Sequence, residues 1–105
     1  LTLDLLGLEP RVTAIVATSD VQALGVLEAA QQMGVRVPDD LSVIGYDDLE
    51  IAGLMGITTV RQQLEHSGAR AAALILGAIA GSVSIGAHEE LRLDVVVRNT
   101  TRPPR

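Results

Sequence analysis

Residues 13–46 hold two short apolar runs separated by one stretch of helical period, and this spacing constrains the fold more than any other feature of the chain. Thr13 to Thr18 (TAIVAT) is rich in β-branched residues and has no helical spacing, which predicts a buried strand. From Val21 the period changes: Val21, Leu24, Leu27 and Ala30 recur on one side, with Glu28, Gln31 and Gln32 off it, and this predicts a helix. Ser19 or Asp20 offers the N-cap oxygen, and Gly34 stands where a left-handed C-terminal residue is wanted. After a turn at VPDD, Leu41 to Tyr46 (LSVIGY) reads as a second strand buried on both faces. Strand, capped helix, turn and strand in this order make a right-handed parallel βαβ unit.

The remainder extends the same α/β pattern. Glu50 to Met55 reads as a short helix closed by Gly56, and Ile57 to Val60 as a third strand. A longer helix is expected from about Gln63 to Ile79, with Leu64, Ala71, Ile75 and Ala78 on one side and Gly81 as its stop. Leu91, Leu93, Val95 and Val97 alternate with Glu90, Arg92, Asp94 and Val96, which predicts a half-exposed strand at a sheet edge. RNTTRPPR reads as a polar tail.

Composition excludes several classes. The chain of 105 residues suits one core. With one aromatic residue, Tyr46, that core must come from the 15 Leu, 13 Ala, 12 Val and 7 Ile. A net charge of −5, with eight scattered Arg and no Lys, argues against this chain gripping DNA or an anionic membrane by itself. No Cys is present, so disulfide scaffolds, Cys-ligated zinc and thiol catalysis are all excluded. The opening LTLDLLGLEP lacks the parts of a signal peptide, and no apolar stretch is long enough to span a bilayer. An opening Leu in place of Met reads as the mark of a processed or excised piece.

Open parallel sheets bind ligands beyond the carboxyl ends of their strands. Two of the expected ends carry acids, Ser19-Asp20 and Asp47-Asp48. Asp20 reads most simply as a helix cap and Asp48 as the cap of the 50–55 helix. Asp47 is not needed as a cap, which makes it the candidate ligand contact. A rival reading gives Asp20, Asp47 and Asp48 to Mg²⁺ in a phosphoryl-transfer domain, but the chain has no Lys to meet a phosphate. His66 and His88 match no local metal-ligand spacing and read as solvated. No cofactor, metal site or catalytic residue is expected, and the chain does not read as an enzyme.

TAIVATSDVQALGVLEAAQQMGVRVPDDLSVIGYDD, followed by TTVRQ at Thr58 to Gln62, closely resembles the LacI/GalR family of bacterial transcriptional regulators. The matching pieces are Ser19-Asp20, Ala23-Leu24-Gly25, Gly34 to Asp40, Val43 to Asp48 and Thr58 to Gln62, and the resemblance as a whole covers about Pro10 to Arg98. The resemblance implies a three-layer, parallel-sheet lobe of a periplasmic-binding-protein-like core, present here in part. Residues 1–62 would form the C-terminal lobe and residues 63–82 a helix that packs on the other lobe of the intact protein. Residues 83–105 would form the final strand and tail.

In function, the resemblance implies a cytoplasmic, dimeric regulator that senses a small effector such as a sugar or nucleobase. Such a protein would meet DNA only through an N-terminal domain that this chain lacks. The residues carried over as effector contacts are Asp47, Gln62 and Ser19, the last standing where the family usually has Asn. Those carried over to the dimer interface are Ala23, Leu24, Leu27, Ile51, Leu54 and Met55. A solute-binding protein of a sugar transporter is the alternative on the same fold. Tyr46 is the only ring available for stacking, so this chain alone should bind effector weakly or not at all.

Overall fold

Each of the expected β-branched runs forms a strand, but the first is not buried, with Ala14 and Val16 exposed, and the second is buried on one face only, with Ser42, Ile44 and Tyr46 half-buried. The computed structural model describes residues 1–104, so Arg105, the last residue of the expected tail, lies outside it. The elements are α1 (Thr2–Leu6), β1 (Ala14–Val16), α2 (Asp20–Gln32), β2 (Ser42–Asp47), α3 (Glu50–Leu54), β3 (Thr58–Arg61), α4 (Leu64–Ile79) and β4 (Asp94–Val96). The strands form one sheet in the order β1-β2-β3-β4. The first three are parallel and β4 is antiparallel to β3. That reversal follows from the path of the chain: it leaves the sheet after Arg61 and returns at Asp94, and these two residues are paired in register. A strand that re-enters at the end where its neighbour left must run the other way.

Two compact units are present, Leu1–Arg61 with the chain from Asp94 onward, and Gln62–Leu93. The core of the first lies between α2 and one sheet face, where Ala23, Val26 and Ala30 of α2 cluster with Val43, Leu41, Val35, Ala52 and Ile57. Leu6 of α1 joins this cluster. The sequence pattern gave no sign of α1, because five residues are too few to show a period.

The inward face of α2 corrects the expectation. Val21 is 60% exposed and Leu24 and Leu27 only pack on the margin of the core. Ala23, Val26 and Ala30, spaced by three and four, form the buried stripe with Ala29 beside them, so of the expected face only Ala30 is buried. Because α2 is apolar on most sides, two stripes fit the helical period equally well; the small residues allow the closer approach to β2.

The tail is also not a loose appendage. The Thr100 carbonyl accepts from the Val43 N–H at 2.8 Å, while its hydroxyl donates to the Val43 carbonyl at 2.7 Å and accepts from the Thr58 N–H at 2.9 Å. Thr101 shares a hydroxyl–hydroxyl bond of 2.8 Å with Thr58. The tail therefore ties β2 to β3 near the beginnings of both strands, and Thr100 is buried.

In the second unit, Arg70 of α4 binds Glu89 of the following loop, with Nη2 at 2.8 Å from Oε2. The Gly77 carbonyl accepts from the Ser82 and Val83 N–H groups, turning the chain at the helix end. No residue of α4 is buried. Among the described residues no helix is long and apolar enough to cross a membrane.

Candidate functional site

Because β1 and β2 are parallel neighbours, the residues that follow them share one rim of the sheet. Ser19 adopts an extended backbone and caps α2, its hydroxyl accepting from the Gln22 N–H at 3.2 Å. Asp20 is therefore not the cap. It is the first residue of the helix, fully buried, with Oδ1 accepting from the Thr59 hydroxyl at 2.5 Å and Oδ2 from the Leu49 N–H at 2.7 Å. The positive end of the α2 dipole lies at the same place, which favours a negative charge there. Gly45 makes room for this carboxylate: a Cβ at that position would run into Asp20 Oδ1. Asp20 thus joins α2 to β3 and to the turn after β2.

Asp48 does not cap α3 either, where Leu49 holds the cap position with no side-chain hydrogen bond. Its carboxylate binds two arginines, Oδ1 to Arg98 Nη2 at 2.7 Å and Oδ2 to Arg61 Nε at 2.6 Å. These two hydrogen bonds, Arg98 first, hold the Asp48 carboxyl below its ordinary range even though desolvation opposes them. Arg98 is anchored in turn by donating from Nη1 to the Ile57 carbonyl at 2.9 Å. Arg61 and Arg98 carried no motif in the sequence reading. An acid at a strand end paired in register with an arginine on the neighbouring strand was the only available signal.

Asp47 is half-buried at the end of β2 and has a φ of 105°, and Asp48 follows with a φ of 57°. Two successive non-glycine residues in this region are uncommon, although Asp tolerates it better than most. Ser19, also half-buried, lies at the neighbouring strand end. Gln62 is half-buried and opens the second unit. The rim of the first unit therefore brings together Ser19, Asp47 and Asp48.

This rim does not suit a hard cation. Asp20 is committed to Thr59 and Leu49, and Asp48 to two guanidiniums. No three His, Cys, Asp or Glu side chains gather in a metal-binding arrangement among the described residues. His66 and His88 are both exposed, as expected. An acceptor-only carboxylate on a rigid strand end suits a neutral ligand that donates hydrogen bonds, such as hydroxyl or ring N–H groups.

Of the expected interface residues, Ala23 is fully buried in the core and offers nothing to a partner. Leu24, Leu27 and Ile51 are half-buried, while Leu54 and Met55 are 76% and 54% exposed.

Comparison with known proteins finds the same fold. Residues 2–101 match the family described as periplasmic binding protein-like domain, and the chain belongs to it. Its relatives lie among LacI-family transcriptional regulators, and it corresponds to a fragment of their effector-binding core. It is 37% identical over 98 residues to the HTH-type transcriptional repressor PurR of Vibrio campbellii, covering 91% of this chain and 29% of that protein. The ribose operon repressor of Halalkalibacterium halodurans is 35% identical over 100 residues, which are 93% of this chain and 30% of that protein.

Solved structures agree. A LacI-family transcriptional regulator from Bifidobacterium animalis subsp. lactis superposes with a TM-score of 0.87 at 37% identity, over 99% of this chain and 39% of that one. The CelR–cellobiose complex gives 0.83 at 33% identity, over 94% and 31%. The dimeric Lac repressor lacking 11 C-terminal residues gives 0.81 at 33%, over 99% and 39%. The chain thus spans about 30% of the length of the curated relatives it matches. These relatives are repressors, so the transporter alternative is not favoured.

Proposed function

We propose that this chain is the effector-sensing and dimerisation part of a DNA-binding transcriptional regulator, and that Asp47 is its main contact to a small neutral effector. The observation that carries this reading is Asp47 itself, a half-buried acid at the carboxyl end of β2 whose backbone is held at a φ of 105°. A sugar or a nucleobase supplies the hydroxyl or ring N–H donors that such a carboxylate accepts, and the CelR neighbour was solved with cellobiose. Ser19 is a weaker contact, because its hydroxyl oxygen already accepts from Gln22. Gln62 is a separate proposed contact from its own unit.

In the full regulator Asp47→Ala should weaken effector binding by about 1.5–3 kcal/mol, the range for hydrogen bonds to a charged group. Calorimetric titration against candidate sugars and nucleobases measures this, and an affinity unchanged by the substitution removes Asp47 from the site.

The dimer reading rests on Leu54 and Met55, two large apolar side chains exposed at the end of α3, with Ile51, Leu24 and Leu27 beside them at partial exposure. A two-fold interface buries such a patch on both copies at once. Leu54→Asp combined with Met55→Asp should give monomers in sedimentation; a parent-like dimer would place the interface elsewhere.

A further inference from the structure

We infer that Asp48, clamped between Arg61 and Arg98, is a positioning residue whose task is to hold Asp47 in its left-handed backbone conformation at the rim. The inference rests on the reading of Asp47 as the effector contact.

A polypeptide does not place two successive aspartates at φ 105° and 57° without outside support. The support here is specific. Asp48 Oδ2 meets Arg61 Nε at 2.6 Å, and Arg61 is the residue of β3 registered with Asp47 itself. Asp48 Oδ1 meets Arg98 Nη2 at 2.7 Å, and Arg98 is fixed to the Ile57 carbonyl and donates its own N–H to the Thr58 hydroxyl. The Asp48 N–H reaches the Thr59 hydroxyl at 3.4 Å, and the next N–H, of Leu49, is held by Asp20 at 2.7 Å. The turn is therefore gripped on both carboxylate oxygens and on two consecutive amides.

Arg61 is the last residue before the chain leaves the first unit, and Arg98 stands shortly after it returns at Asp94. One carboxylate thus fixes the ends of the outgoing and incoming strands relative to the strand that carries Asp47. At 11% side-chain exposure, Asp48 is not a solvated surface partner whose geometry is free to drift. The hydrogen bonds from Arg98 and Arg61 also hold its carboxyl below the ordinary carboxylate range.

The test is the effector-free crystal structure of the full regulator carrying Arg61→Gln with Arg98→Gln, beside the parent and the Arg61→Lys with Arg98→Lys variant. The expected result is that Asp47 leaves the positive-φ region in the glutamine variant while β1 to β3 superpose on the parent, and that the lysine pair restores it. Asp47 remaining near its parent φ in the glutamine variant would overturn the inference. If the double variant does not fold, the single Arg61→Gln substitution, at a half-exposed side chain, is judged by the same φ: a shift supports the clamp and an unmoved φ refutes it. No ligand enters this test. Its failure is therefore distinct from a failure of Asp47→Ala to weaken effector binding.

Discussion

Removing the Asp20 carboxylate should be among the most damaging single changes available in this chain. Its two oxygens satisfy the Leu49 N–H at 2.7 Å and the Thr59 hydroxyl at 2.5 Å, and nothing of Asp20 is exposed to replace it with water. Hydrogen bonds to a charged group contribute about 1.5–3 kcal/mol each, and an amide left buried without a partner adds its own desolvation cost. Against this stands the relief of a buried charge, which offsets part of the loss. Asp20→Ala is therefore expected to cost roughly 3–5 kcal/mol, a large share of the ~5–15 kcal/mol that holds a domain folded. Asp20→Asn keeps one acceptor for Leu49 and offers its NH₂ to the Thr59 oxygen, leaving only the Thr59 hydroxyl hydrogen to find a new acceptor. It should cost about 1–2 kcal/mol. Urea unfolding followed by circular dichroism reads both. With a slope of about 2 kcal/mol per molar, the Ala midpoint should fall by roughly 1.5–2.5 M at unchanged slope. A loss below about 1 kcal/mol for Ala, or equal losses for Ala and Asn, would refute the assignment of Asp20 as a buried joint.

Gly45→Ala attacks the same joint from the opposite side: the new Cβ would sit 3.2 Å from Asp20 Cα as well as on its Oδ1, and a loss of about 1–3 kcal/mol is expected in the same denaturation assay. Thr100→Val keeps the shape but strands the Thr58 N–H, and should cost about 1–3 kcal/mol; a neutral result would mean the tail does not tie β2 to β3. Asp48 has a lowered folded-state pKa, so its stabilisation is complete above the ordinary carboxylate range and is lost as pH falls through the lowered value. Asp48→Asn should accordingly be less stable than the parent at neutral pH and draw level with it in strong acid, as melting curves across pH would show. α4 leaves Leu64, Ile75, Leu76 and Ile79 between 61% and 80% exposed. The 105-residue chain should therefore sediment as a dimer or larger, and Ile75→Glu with Ile79→Glu should shift it toward monomer. A parent chain that runs as a monomer contradicts this.

What the sequence disclosed depended on the range of the interactions involved. The βαβ unit was legible because strand propensity and helix capping are written within a few residues: Thr13 to Thr18 contains β1, Leu41 to Tyr46 overlaps β2, and Ser19 proved to be the cap, although β1 is largely exposed instead of buried. Asp20 was misread because its partners Leu49 and Thr59 lie 29 and 39 residues away, whereas cap preference is a local signal. The tail was misread for the same reason: its threonines look like solvated loop residues until Val43 and Thr58, 57 and 42 residues away, supply the hydrogen bonds. α2 misled in a different way. An all-round apolar helix does not declare its inner face, and the decision fell to the close approach that Ala23 and Ala30 permit. None of the three acids caps a helix, so capping preference does not separate Asp47 from the others, and its φ and the arginine clamp beside it have no local signature.

Three carboxylates at two strand ends would repel one another in a chain already carrying a net charge of −5, and the structure resolves this by giving each a different environment. Asp20 is withdrawn under the N-terminus of α2, where amide and hydroxyl donors and the helix dipole face it. Asp48 is neutralised by two of the eight arginines. Asp47 is distinguished instead by its backbone, held at a φ of 105°. For the effector contact we propose, a fixed backbone matters because a binding carboxylate must be oriented before the ligand arrives. If Asp47 is the effector contact we propose, the two scaffold acids matter to recognition without touching an effector, Asp20 by holding the Leu49 amide and Asp48 by binding its two arginines.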